Sequence, residues 1–126
     1  MYRQHILDHY RNPRNYGELA EPTFSHTGQN PSCGDEIRMD VRVADDGETI
    51  EAVRFGGEGC AISMASGSLL TEALPGMTLE AVTELEREDA IDRLGIEVTP
   101  MRIPCAVLAT TVVRDGVEGY LAEREA

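Results

Sequence analysis

Apolar side chains recur along this sequence with two spacings, and the point where one gives way to the other divides it. From Ile37 to Val43 the order Ile-Arg-Met-Asp-Val-Arg-Val alternates apolar and polar without a miss. That is the pattern of a half-buried strand with one wet face. Asp45-Asp46-Gly47 reads as a turn. Thr49 to Phe55 reads as the return strand, with Val53 and Phe55 directed inward. From Ala61 the spacing becomes helical. Ile62, Ala65, Leu69 and Ala73, with neighbouring Leu70, form one stripe that Pro75-Gly76 ends.

The remaining elements are shorter. Tyr2 to Arg11 sets Tyr2, Ile6 and Tyr10 four residues apart, as in an amphipathic helix, and Asn12-Pro13 stops it. Residues 15 to 35 are turn-rich, with a strand expected near Thr23 to Thr27. Thr78 is placed to cap a short helix that Met77 and Val82 staple. Glu86 to Leu94 reads as a further helix closed by Gly95. Pro104 pre-sets the first turn of a last helix over Cys105 to Glu123, whose second half Gly116 and Gly119 weaken. A helix, then strands, then helices predicts an α+β fold with helices packed on one face of an antiparallel sheet. The 126 residues suit a single domain, 1–126, with its own core.

Composition narrows the function. The net charge is −12, from 23 acidic and 11 basic residues, and every basic residue is arginine. Nucleic acid and anionic membranes are therefore not expected as partners. Acidic, lysine-free surfaces also suit high-salt cells, where salt screens the repulsion between carboxylates. No apolar run approaches the roughly 18 residues of a membrane span. An odd count of widely spaced cysteines, without a secretory leader, argues against a disulfide framework and for a cytoplasmic protein.

The cysteines carry the chemistry. Cys33, Cys60 and Cys105 each stand in a segment marked by glycine or proline, and Cys60 and Cys105 open predicted helices. Three thiolates and one carboxylate complete a four-coordinate metal site, for which Asp35 is the nearest candidate. Asp35 follows Gly34 and is equally a turn former, and a cysteine taken alone is usually a small buried hydrophobe. A helix end contributes about 0.3–1 kcal/mol, against about 1.36 kcal/mol for one pKa unit. Helix ends alone therefore do not keep the thiols ionised, whereas a bound metal does. A cysteine nucleophile needs a histidine base, and His5, His9 and His26 are all distant in sequence from the cysteines. His5 and His9 share a helix face at metal-pair spacing, which is more often a packed face. The cysteine spacing is not that of a zinc ribbon.

The surrounding residues resemble the U-type iron–sulfur cluster assembly proteins, the group of IscU, SufU and the N-terminal domain of NifU. Tyr2-Arg3-Gln4 through Asp8-His9-Tyr10-Arg11-Asn12-Pro13-Arg14-Asn15 is similar to the opening of that family. Asn30-Pro31-Ser32-Cys33-Gly34-Asp35, Gly57-Glu58-Gly59-Cys60-Ala61-Ile62-Ser63-Met64-Ala65-Ser66 and Arg102-Ile103-Pro104-Cys105-Ala106-Val107-Leu108 match its three cysteine motifs in order, the second in its SufU form. The resemblance implies a three-stranded antiparallel sheet backed by helices, with the cysteines at one exposed end. It implies Cys33, Asp35, Cys60 and Cys105 as ligands of a transient [2Fe–2S] cluster or a zinc ion. Arg102 matches an arginine that lies beside the metal in SufU-type members.

Two functions are implied. The first is a scaffold: a cysteine desulfurase delivers sulfur, iron enters, and the cluster passes to apo-proteins. The second is a zinc-dependent sulfur acceptor of the SufU type, with Cys105 as the persulfide-accepting residue. A zinc-stabilised binding module without sulfur traffic is a third class. Two features depart from the family patterns. Pro104 stands where IscU has a histidine, and the insertion usual in SufU between the second and third cysteines is absent. Val98-Thr99-Pro100-Met101-Arg102 stands where IscU carries its chaperone-recognised Leu-Pro-Pro-Val-Lys, so chaperone binding is not carried over.

Overall fold

The computed structural model describes residues 3–31 and 34–125. The elements are α1 (Gln4–Arg11), β1 (Phe24–Asn30), β2 (Asp35–Val43), β3 (Ile50–Glu58), α2 (Ala61–Ala73), α3 (Leu79–Thr83), α4 (Arg87–Leu94), a 3₁₀ turn (Pro100–Arg102) and α5 (Ile103–Glu125). The strands form an antiparallel sheet in the order β1-β2-β3, which is the expected α+β arrangement. Met39 faces Phe55 and Val41 faces Val53 across β2 and β3, and all four are at most 4% exposed. A one-residue slip would turn each of them to the other face, so burial fixes the register.

Helices cover that apolar face. α5 packs on β1 and β2, α2 packs on β3 and α5, and α1 packs on α2. The main core joins Ile37, Met39 and Phe55 to Leu70 of α2, to Leu74 at its C-cap and to Leu108 and Val112 of α5. A second cluster of Ile6, Ile62, Ala65, Leu94, Cys105 and Ala106 draws on α1, α2, α4 and α5. Thr78 caps α3 by accepting from Ala81 N at 3.1 Å, and Gly95 closes α4 with φ +69°, both as expected.

Several features differ from the sequence reading. β1 reaches Asn30, and β3 runs on through Gly56 and Gly57 to Glu58. α5 continues straight through Gly116 and Gly119. At Gly116 a Cβ would lie 3.0 Å from His26 Cβ and 3.2 Å from Phe24 Cε2, so the glycine lets α5 close on β1. α1 starts at Gln4, and Tyr2 lies outside the described residues. The polar face of β2 is not wet throughout. Asp40 is only 4% exposed and accepts from Ser25 Oγ at 2.8 Å, Leu19 N at 3.1 Å and Arg38 Nε at 3.1 Å. The segment after α1 crosses this face, where Arg38 and Arg42 donate to the carbonyls of Gly17 and Ala20.

His5 is exposed and His9 is buried, and each has a partner on another helix. His5 Nε2 meets Leu94 O at 2.7 Å, and His9 Nδ1 meets Ser68 Oγ at 2.7 Å. Burial chiefly holds the His9 pKa below its ordinary 6.5, with the nearby Arg14 charge adding to the effect and Glu72 opposing it. The unfolded chain then takes up the proton more readily than the folded one. Stability contributed by neutral His9 is present above about pH 6.5 and falls as the pH drops through the folded-state value. His9→Gln should flatten that acid limb of a pH–stability profile, and an unchanged limb would contradict it.

Candidate metal centre

Two chain junctions build the site. At the first, β1 hands over to β2: Asn30 pairs with Asp35, and Gly34 N donates to Asn30 O at 2.9 Å. At the second, β3 runs into α2. Close approach of the backbones there is what Gly57 permits. Its φ is +115°, and a Cβ would stand 2.0 Å from the Glu36 carbonyl oxygen.

Asp35, Cys60 and Cys105 converge between these junctions. Each offers one ligand atom, and these atoms all lie within 4.8 Å of one another. Asp35 is the first residue of β2 rather than part of a turn, and it is 3% exposed. Cys60 caps the N-terminus of α2 and is half-buried. Cys105, in the first turn of α5, is 2% exposed and packs with Ile62 and Ala65. The expectation of an exposed cysteine end therefore fails for Cys105, because its place in the first turn turns it toward α2. Cys33 lies outside the described residues. Arg102, three residues before Cys105, is exposed at the end of the 3₁₀ turn. It lines a cavity of about 200 Å³ with Ile62, Ile96 and Val98.

The spacing suits a tetrahedral metal. Zn–S near 2.3 Å and Zn–O near 2.1 Å put neighbouring ligand atoms about 3.6–3.8 Å apart, and Cys60 Sγ lies 3.8 Å from Asp35 Oδ2. The carboxylate fills a cradle. A Cβ on Gly59 would come within 3.0 Å of Asp35 Oδ1. Cys60 N donates to the same oxygen at 3.0 Å.

The sequence named Ser63 only within the second cysteine motif, with no role of its own. Its hydroxyl donates to Asp35 Oδ2 in a short contact, and it lies 3.2 Å from Cys105 O and 3.8 Å from Cys60 Sγ. The signal was present in the spacing, because an N-cap residue and the residue three places on stand side by side at a helix start.

Beside the site an open cavity of about 620 Å³ is lined by Tyr16, Gln29, Asn30, Asp35, Glu36 and Glu58, among others. Glu36 and Glu58 pair directly across β2 and β3. Like charges so placed repel each other and favour cations nearby. Gln29 Nε2 steadies Glu36 from 2.6 Å.

Comparison with known proteins places this geometry. The model of the NifU-like N-terminal domain matches residues 1–126. The chain belongs to this family. It is 39% identical to the zinc-dependent sulfurtransferase SufU of Bacillus subtilis (strain 168), over 93% of this chain and 89% of that protein. It is 33% identical to the iron–sulfur cluster assembly scaffold protein IscU of Escherichia coli (strain K12), over 99% and 98%. Among solved structures, a candidate iron–sulfur cluster assembly scaffold protein of the SUF system from Fervidobacterium islandicum AW-1 superposes with TM-score 0.75 at 25% identity, covering 92% of this chain and 96% of that one. The N-terminal NifU-like protein of Brucella abortus gives TM-score 0.76 at 20% identity, over 98% and 95%, and shows the shared fold. This NifU-like chain is thus a member of the iron–sulfur cluster scaffold family that contains IscU and SufU. Among the described residues, no helix is long and apolar enough to cross a membrane.

Proposed function

We propose that this chain, acting over residues 1–126 as one assembly domain, is a scaffold on which a [2Fe–2S] cluster is built and from which it is handed to apo-proteins. Cys33, Asp35, Cys60 and Cys105 hold the cargo. A cysteine desulfurase supplies the sulfur, and the cytoplasm is the compartment. The observation that carries the reading is Asp35. A buried carboxylate stands 3.8 Å from one cysteine sulfur and beside a second, buried cysteine, while also lining an open cavity. Iron–sulfur clusters prefer thiolates, and a hard oxygen ligand among them loosens the hold. Asp35→Ala should therefore slow loss of a reconstituted cluster several-fold. Decay of the cluster absorbance, followed without oxygen, measures it, and faster decay would contradict the role given to Asp35.

The 39% identity to a zinc-dependent sulfurtransferase favours a second reading. Here the same four residues hold Zn²⁺, which keeps thiols ionised. The Cys105 thiolate attacks the outer sulfur of the desulfurase persulfide. A new S–S bond forms as the old one breaks, and the desulfurase cysteine leaves as thiolate. Arg102 balances negative charge near the site. Mass spectrometry after incubation with desulfurase and cysteine distinguishes the two. One added sulfur on Cys105 of zinc-loaded protein that forms no cluster supports the second reading. Cluster formation without a persistent persulfide supports the first.

A further inference from the structure

We propose that the cleft between α4 and α5 binds a small zwitterion, a free α-amino acid, at a site separate from the cysteines. The cleft holds a cavity of about 320 Å³, lined by Arg87 and Glu88 of α4 and by Val107, Thr110 and Arg114 of α5, among others. That volume lies at the small end of the roughly 300–1,000 Å³ usual for ligand sites. It suits a molecule of amino-acid size.

Thr110 is the residue that points to a ligand. It lines the cavity and is 2% exposed, yet its Oγ1 has no hydrogen-bond partner. Among the described residues it is the one buried side-chain oxygen or nitrogen left so. A threonine inside a helix ordinarily bonds the carbonyl four residues back. Here that carbonyl, Ala106 O, already accepts from Ser66 Oγ at 2.7 Å. A buried hydroxyl without a partner is costly. Threonine has two χ1 rotamers open to it in a helix, and a ligand oxygen in the cavity gives the hydroxyl its missing partner.

The charges around it fix the kind of ligand. Among the described residues, neither Arg87 nor Arg114 has a carboxylate within ion-pair distance. Arg114 Nη1 donates to Leu85 O at 2.9 Å, which anchors the guanidinium and leaves its other nitrogens for a ligand. A guanidinium matches a carboxylate with two parallel bonds. Glu86 and Glu88 line the same cavity. A plain anion would be repelled by the glutamates, and a plain cation by the arginines. An amino acid satisfies both, its carboxylate on the arginines and Thr110, its ammonium on the glutamates. Val107 offers an apolar wall to the side chain. Leu94 of α4 and Cys105 of α5 share one core cluster. A ligand bridging the two helices therefore braces the helix that carries Cys105.

The test titrates the full chain, loaded with Zn²⁺, with L-alanine in a calorimeter, and with acetate and methylamine alongside. L-alanine should bind once per chain and raise the melting temperature. Acetate and methylamine should each bind at least tenfold more weakly. Arg87→Gln and Thr110→Val should each weaken L-alanine binding roughly tenfold, as expected for loss of a hydrogen bond to a charged group. Thr110→Val removes the unmet hydroxyl and should melt no lower than wild type. Arg93→Gln, on the same helix outside the cavity, should leave the affinity unchanged. No saturable heat with L-alanine, or acetate binding as tightly, would overturn the proposal. So would wild-type affinity in both Arg87→Gln and Thr110→Val, or an equal loss in Arg93→Gln. The three ligands are compared on wild type alone, so that arm stands whether or not a variant folds.

Discussion

Gly57→Ala should melt about 10 °C below wild type and lose metal binding at the same time. Two costs combine at this position. Its φ of +115° lies where L side chains rarely sit, and a Cβ would stand 2.0 Å from the Glu36 carbonyl oxygen. The neighbour is backbone in a paired strand and cannot swing aside. Backbone strain of this kind costs about 1–3 kcal/mol, and the displaced strand adds to it. A total near 3 kcal/mol corresponds to roughly 10 °C for a chain of this size. Glu36 follows Asp35 directly, so moving that carbonyl shifts the carboxylate. Gly76→Ala isolates the strain alone, because its φ is +93° with nothing within 4 Å of a Cβ. Equal losses of melting temperature in the two variants would show that the close approach at Gly57 contributes nothing.

Cys105→Ala should weaken metal binding a hundredfold or more while the fold persists. A four-ligand thiolate zinc site is worth about 10–16 kcal/mol. One ligand's share is then roughly 3 kcal/mol, above the 2.8 kcal/mol of a hundredfold change. Cys105 also packs with Ile62, Ala65 and Ala106, so its removal leaves a small cavity and some loss of stability. Competition with a chelator of known affinity separates the two effects. Unchanged affinity alongside reduced stability would make Cys105 a core residue and remove it from the ligand set.

What could be read from the sequence was whatever had a period or a motif. The alternation from Ile37 to Val43 became the central strand, and the stripe through Ile62, Ala65 and Leu70 became α2. Asp35, Cys60 and Cys105 were named from their motifs, and the structure brings them together. Asp40 was misread as a wet residue because an aperiodic segment covers it, held by arginine-to-carbonyl bonds that leave no pattern. The extent of β3 was missed because the apolar pattern ends at Phe55 and the two glycines after it carry none. Their purpose is close approach between elements distant in sequence, which only the three-dimensional register reveals. Ser63 was undervalued for a related reason. Its partner Asp35 is 28 residues away in sequence, on β2.

The most direct test is anaerobic reconstitution with iron, cysteine and a cysteine desulfurase, followed by addition of an apo-ferredoxin. A scaffold acquires visible cluster absorbance with iron and sulfide in equal amounts, then loses it as the ferredoxin gains activity. Tightly retained zinc, with no cluster absorbance at any stage, would contradict the scaffold and leave the sulfur-acceptor reading in its place.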